Sequence, residues 1–342
     1  MSRPGERMAA DMAAQPETLA TLIERRGSIV KALRLALPSA PAGAVICARG
    51  SSDYAAVFGR YLLEAAMRRP VALAAPSLTT LYDVELDLGR WIAIGVSQSG
   101  RTPEIVTVLE RYAAGGARTV AVTNDPESAL AAAADVQIEL GAGEERAVPA
   151  TKTFTAQLAA VALVAEALGP VPWAEEAWER LPDIAEELLA DPAPAERAAE
   201  ALGGAGELIS VGRGYLMCVA LEAALKLREA TGVRAEGWSA ADFRHGPVTV
   251  ARGDIPLLAV SAAGPAAADV EELAAGLERS GTRVLRLADS PAADLPYPTG
   301  LAEPLSTIPA TIRAQQLALA LALHRGIDPD EPPGLGKVTP TT

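Results

Sequence analysis

Short, almost wholly apolar runs alternate along this chain with longer segments of helical periodicity. AVICA from Ala44, WIAIGV from Trp91, ELISVG from Glu207 and PLLAV from Pro256 are too short for helices. They are also too uniformly apolar for strands with one wet face, and fit strands buried on both faces of a parallel sheet. The segments that follow them, SSDYAAVFGRYLLEAA from Ser51 and PEIVTVLERYAA from Pro103 among them, place apolar residues at helical spacing. The alternation predicts an α/β fold with helices on both faces of parallel sheets.

The pattern occurs twice. AVICARGSSDYAAVFG and ELISVGRGYLMCVALE both read as strand, Arg-Gly turn and helix, and aligning Gly50 with Gly214 gives an offset of 164 residues. Ser97 and Ser261, each just past an apolar run, are also 164 apart, and GARTVAVTND and GTRVLRLADS are 165 apart. Three landmarks in register predict two tandem doubly wound parallel-sheet domains related by internal duplication. The expected layout is an N-terminal segment 1–24, a first domain 25–175, a helical linker 176–200, a second domain 201–330 and a tail 331–342.

Composition narrows the picture. The chain has 342 residues, half of them apolar but only 4% aromatic, so its cores must be built from Ala, Leu and Val. The formal net charge of −13 argues against nucleic acid as a partner, because a phosphate backbone demands clustered Lys and Arg. Two cysteines are too few for a disulfide framework. The first residues contain no apolar signal core, and the longest apolar stretch, AQLAAVALVAEALG, is broken by Glu166 and suits a buried helix better than a membrane span. A cytoplasmic protein is expected.

In doubly wound sheets ligands sit outside the carboxyl ends of the strands. The turn after WIAIGV reads SQSGRT and gathers Ser97, Gln98, Ser99 and Thr102 before a helix that starts near Pro103. Hydroxyls and backbone N–H groups at a helix N-terminus can hold a small phosphate without any excess of basic residues. Any single hydroxyl here could equally be a helix cap. The comparison between halves favours a site. Ser97-Gln98-Ser99-Gly100 becomes Ser261-Ala262-Ala263-Gly264, and Ser51-Ser52 becomes Tyr215-Leu216, so the fold does not require the hydroxyls.

Taken together, GSS at 50–52, SQSGRT at 97–102, AVPATKTFTAQL at 147–158, ALKLREATGVRAEGWSAADFRHGP at 224–247 and GLGKVT at 334–339 resemble the sugar isomerase (SIS) domain family. More narrowly they resemble the isomerase part of glucosamine-6-phosphate synthase and the stand-alone deaminases of that family. The resemblance implies a phosphate site at Ser52, Ser97, Gln98, Ser99 and Thr102, with Ser51 beside it, and sugar contacts from the backbone around Val148. It implies four chemical residues, Lys226, Glu229, His245 and Lys337. In that family pattern His245 opens the sugar ring as acid/base, and Glu229 carries the proton between C1 and C2. Lys226 stabilises charge, while Lys337 closes over the open-chain sugar, as a Schiff base or as an ion-pair partner. No metal or other cofactor is implied. A homodimer is, with His245 serving the partner's site. The residues alone leave plainer readings open: Lys226 and Glu229 as a surface i,i+3 pair, and His324, at a helix end, as a dipole partner.

The chain begins Met1-Ser2-Arg3, and its first cysteine, Cys47, ends a strand. No glutaminase nucleophile is therefore expected. The function expected is a phosphosugar aldose–ketose isomerase/deaminase that converts glucosamine 6-phosphate to fructose 6-phosphate and ammonia. The alternatives are a fructosamine-6-phosphate deglycase, ammonia-dependent glucosamine-6-phosphate synthesis, or a non-catalytic phosphosugar-binding regulator.

Overall fold

The computed structural model describes residues 3–251, 255–332, 334 and 336. Three helices, α1 (Glu6–Ala13), α2 (Gln15–Glu24) and α3 (Arg26–Ala36), precede the first strand. Then follow β1 (Gly43–Cys47), α4 (Ser51–Met67), β2 (Val71–Leu73), α5 (Pro76–Thr80), β3 (Trp91–Val96), α6 (Pro103–Ala114), β4 (Arg118–Thr123), α7 (Ala129–Ala132), β5 (Val136–Glu139) and α8 (Lys152–Leu168). The stretch between the two sheets forms α9 (Glu176–Ala190) and α10 (Ala193–Leu202). The remainder is β6 (Glu207–Gly212), α11 (Met217–Thr231), β7 (Arg234–Ser239), α12 (Ala240–Arg244), β8 (Leu257–Val260), α13 (Ala267–Arg279), β9 (Val284–Ala288), β10 (Leu295–Pro296) and α14 (Thr307–His324).

The chain divides into two compact units. One is built mainly from Glu17–Glu144 and Thr153–Pro172, the other from Met1–Pro16, Glu145–Lys152 and Trp173–Lys337. In the first unit the sheet order is β2-β1-β3-β4-β5, every pairing parallel. In the second it is β7-β6-β8-β9-β10, again all parallel. Taken strand by strand, the second order repeats the first. The central strands are buried residue after residue, β1 throughout and β3 from Ile92 on, because helices cover both faces of the sheet. This explains why their sequences lack alternation.

In this strand order the chain reverses direction between the first and third strands. The crevice at that reversal is where ligands bind in doubly wound sheets. The turns after β1 and β3 in the first unit, and after β6 and β8 in the second, therefore lie at the functional edge of each sheet. The first pair contains Ser51-Ser52 and Ser97–Thr102, and the second contains Tyr215-Leu216 and Ser261–Gly264. The apolar run expected to form a buried helix is α8, buried from Lys152 through Ala165. Among the described residues no helix is long and apolar enough to cross a membrane.

Candidate functional site

In the first unit, β3 delivers the turn Ser97–Thr102, and α6 starts at Pro103, whose fixed φ and missing N–H suit the first helical position. Neither Thr102 at the N-cap of α6 nor Gly50 at the N-cap of α4 caps its helix through a side chain. Ser128 shows the contrast: its Oγ accepts from Ala131 N at 3.3 Å and caps α7. The hydroxyls of the turn are used differently. Ser97 Oγ accepts from Gly100 N at 3.2 Å and lies 3.4 Å from Thr102 Oγ1. Ser99 Oγ accepts from Arg101 N at 3.2 Å, and the buried Gln157 Nε2 donates to Ser52 Oγ at 2.9 Å. A serine that accepts internally keeps its O–H hydrogen as a donor. Ser52, Ser97 and Ser99 can each therefore offer an O–H donor to an oxyanion. Gln98 and Thr102 are partly exposed beside them, and Ser51 opens α4.

Two further features brace this turn. Gly100 has φ +61°, and a Cβ there would lie 2.1 Å from Ser128 Oγ. The glycine is thus required by the packing of Ser128 beneath the turn. Arg49, at the end of the β1 turn, grips Glu104 in the first turn of α6 through two bonds of 2.8 and 2.9 Å, and Glu104 is only 6% exposed. This fork ties the two turns of the crevice together. Arg49 and Glu104 carry no sequence signal of their own, and the pairing of β1 with β3 brings them together; Gln157, inside the AVPATKTFTAQL segment, reaches Ser52 from α8.

The second unit closes the matching crevice with its own carboxylates. Ala263, the counterpart of Ser99, donates its N–H to Asp289 Oδ1 at 2.9 Å and to Oδ2 at 3.1 Å. A Cβ on Gly264 would come within 2.3 Å of Glu303 Oε2. Burial, reinforced by the charge of Asp289, raises the Glu303 carboxyl above its ordinary range. Carboxylates in that position repel an anion. In the first unit the counterpart of Asp289 is Asn124, whose amide instead holds the following loop, donating to Gly143 O at 2.7 Å and accepting from Ala142 N at 2.8 Å.

The second unit carries the other candidate cluster. Lys226 on α11 is 1% exposed, so the pair it makes with Glu229 is buried and not a surface ion pair. Its Nζ hydrogen-bonds Glu229 Oε2 and lies 3.5 Å from Glu222 Oε1. Glu222, one turn before Lys226, is also 1% exposed, while the Glu229 side chain keeps 19% exposure. Burial pulls the Lys226 ammonium down, but the charges of Glu222, Glu229 and Glu145 more than offset it. The lysine pKa therefore stands above its ordinary value. The spacing Glu222-Lys226-Glu229 follows one helical face, so Glu222 was legible in principle as an i,i+4 partner. Glu145 comes from a distant part of the chain. The arrangement presents one part-exposed carboxylate backed by a fixed positive charge, which suits proton transfer next to a developing enediol.

Val148 is half-buried in the irregular segment Glu145–Lys152 of the same unit. His245 follows α12 and is exposed, and no hydrogen bond or ion pair joins it to Lys226 or Glu229 among the described residues. Lys337 lies outside the described residues. His324 is in the last turn of α14.

Comparison with known proteins gives a consistent set of matches. Residues 42–167 match the SIS domain model. The chain is 33% identical over 340 residues to a glutamine–fructose-6-phosphate aminotransferase (isomerizing) from Gloeobacter violaceus, covering 93% of this chain and 55% of that one. The chain thus spans about half the length of the curated relatives it matches. A solved structure from Silicibacter pomeroyi DSS-3, assigned as a phosphosugar isomerase, is 31% identical with a TM-score of 0.83, covering 95% of this chain and 99% of that one. A glucosamine-6-phosphate deaminase from Thermotoga maritima is similar in fold, at 23% identity and TM-score 0.72, covering 95% of this chain and 99% of that one.

Proposed function

The chain belongs to the SIS domain family, and on that premise we propose that it is a phosphosugar isomerase that deaminates glucosamine 6-phosphate. The observation that carries this reading is the buried Lys226 held against the part-exposed Glu229 and the buried Glu222. A sensor that only binds sugar has no need of a desolvated ammonium beside a reachable carboxylate. Burying such charges is costly, and a perturbed ionisable cluster with a reachable carboxylate is a candidate seat of chemistry.

In this reading the donors of Ser52, Ser97, Gln98, Ser99 and Thr102, with Ser51 beside them, take the phosphate. The backbone around Val148 takes sugar hydroxyls. His245, exposed on its own chain, opens the ring of a sugar bound by the partner in a homodimer. Glu229 then removes the proton from C2, and Lys226 stabilises the negative charge that develops. The same carboxylate returns the proton to C1, leaving an imine at C2. Water adds to that carbon, the C–N bond breaks, and fructose 6-phosphate and ammonia leave. Neither Cys47 nor Cys218 is suited to act as a thiolate nucleophile near neutral pH. Burial pushes the Cys47 thiol up to about 12 and raises Cys218 as well. The shared strand order of the two sheets supports an origin by internal duplication, in which only the first copy kept an open anion turn.

The test is to incubate the purified protein with glucosamine 6-phosphate, its epimers and a 6-phosphorylated fructosamine adduct, following ammonia and ketose. Ammonia with fructose 6-phosphate from glucosamine 6-phosphate is expected. Cleavage of the adduct alone would make the protein a deglycase. Binding without turnover would make it a sensor.

A further inference from the structure

The segment Glu145–Lys152, which carries Val148, is irregular until α8 begins at Lys152. Irregular backbone near a ligand has no helix or sheet ladder to fix it, so its polar groups must be fixed by side chains. Here the fixing group comes from α1, at the far N-terminal end of the chain. Asp11 is 3% exposed. Its Oδ2 accepts from Arg146 N and from Ala147 N, both at 2.8 Å, and its Oδ1 faces Lys152 Nζ at 3.1 Å. One buried carboxylate therefore grips the segment near its start and at its end.

The rest of the segment is closed upon itself. Glu145 Oε1 accepts from Thr151 N at 2.7 Å and lies 3.4 Å from Thr151 Oγ1. Gln315 Nε2 on α14 donates to Thr151 O at 3.1 Å, and α14 packs along α11, the helix of Lys226 and Glu229. All these residues lie in one compact unit. A carboxylate that served only to dock α1 on the body would meet side chains of neighbouring helices. Asp11 spends its oxygens on two consecutive backbone N–H groups of the segment and on the lysine that ends it.

We infer that Asp11 is a positioning residue of the isomerase site: it fixes Glu145–Lys152 so that the Val148 backbone and the Glu145 carboxylate are each held in one place. The inference rests on the functional reading above for its kinetic consequence, but not for its structural one. Without Asp11 the segment keeps its Glu145–Thr151 and Gln315–Thr151 contacts and loses the carboxylate that its donors at both ends share. Folding persists, and the sugar-contacting backbone samples several arrangements.

The experiment compares the wild-type chain with Asp11→Ala and Asp11→Asn. Amide hydrogen exchange is read at residues 145–151, and kcat and KM for glucosamine 6-phosphate are measured separately. In Asp11→Ala the Arg146 and Ala147 amides exchange at least ten times faster, while the central strands β6 and β8 stay protected. Its kcat falls at least tenfold, beyond any change in the folded fraction. Asp11→Asn keeps an oxygen that can accept the two N–H groups, so protection and kcat recover in part. Unchanged exchange at 146–147 overturns the proposal, and so does faster exchange with kcat and KM both at wild-type values. Should the wild-type protein turn over no phosphosugar, the functional reading fails. The exchange measurement alone then decides whether Asp11 fixes the segment.

Discussion

Glu229→Gln separates chemistry from stability, because the two effects differ in size for reasons visible at the site. The substitution keeps shape and volume but removes the part-exposed carboxylate on Lys226. Lys226 does not become an orphan. Glu222 Oε1 stays 3.5 Å from its Nζ, and unit charges at that separation attract by about 5 kcal/mol at an effective dielectric near 20. The Gln oxygen can still accept a hydrogen bond. The loss is therefore part of one charge-assisted bond, about 1–2 kcal/mol, which lowers Tm by roughly 2–8 °C for units of this size. Turnover responds differently, because an amide cannot take a proton from carbon. Loss of a general base costs about 10²–10⁴ in rate, or ~3–5.5 kcal/mol of barrier. The assay is ammonia release from glucosamine 6-phosphate, run beside deuterium incorporation at C1 and C2 in heavy water and a thermal melt. Expected are a folded variant, kcat down by at least a hundredfold, a near-normal KM and no label exchange. A variant that deaminates at the wild-type rate would refute the assignment of Glu229. A rate loss that simply followed a collapse of Tm would refute the separation argued here.

Four other outcomes follow from the same geometry. Lys226→Met leaves Glu222 buried without its cation and costs about 3–5 kcal/mol of stability. Because the folded lysine pKa is raised, the wild-type advantage over this variant is full below about pH 10.4 and shrinks as pH climbs through the folded value, which melts at pH 9 and pH 11 will read. Ser97→Ala removes one donor and should weaken binding of inorganic phosphate roughly 10- to 150-fold by calorimetry, from about 1.5–3 kcal/mol; an anion found crystallographically at Ser261–Gly264 instead would contradict the placement. Gly100→Ala forces a methyl to within 2.1 Å of Ser128 Oγ at a positive φ; the turn should distort and phosphate binding fall, with partial recovery in the double variant that also carries Ser128→Gly. Mixing Glu229→Gln chains with His245→Ala chains should restore part of the activity through hybrid dimers, and a verified heterodimer with no recovery would place His245 in its own subunit's site.

The two five-stranded parallel sheets follow from features the chain carries locally. Doubly buried strands are apolar at nearly every position, so β1, β3, β6 and β8 announce themselves as short apolar runs, and a 164-residue offset marks the second set. The donor turn was legible for a related reason. Ser97, Gln98, Ser99 and Thr102 are contiguous, and their counterparts Ala262 and Ala263 show that the fold does not need them. Lys226 and Glu229 shared a helical face, yet their spacing could not say whether that face was wet. Only packing of the helix decided it, by leaving Lys226 1% exposed between two carboxylates. The partners that shape each site come from far along the chain, and no local pattern pairs them with the groups they hold. Glu104 reaches back 55 residues to Arg49, Gln157 reaches 105 to Ser52, and Asp11 reaches 135 to Arg146. A charge or amide of this kind reads as a solvated surface residue until folding removes its water. It must then find its partners in whatever elements the sheet topology has brought beside it, and that is information the tertiary structure alone holds.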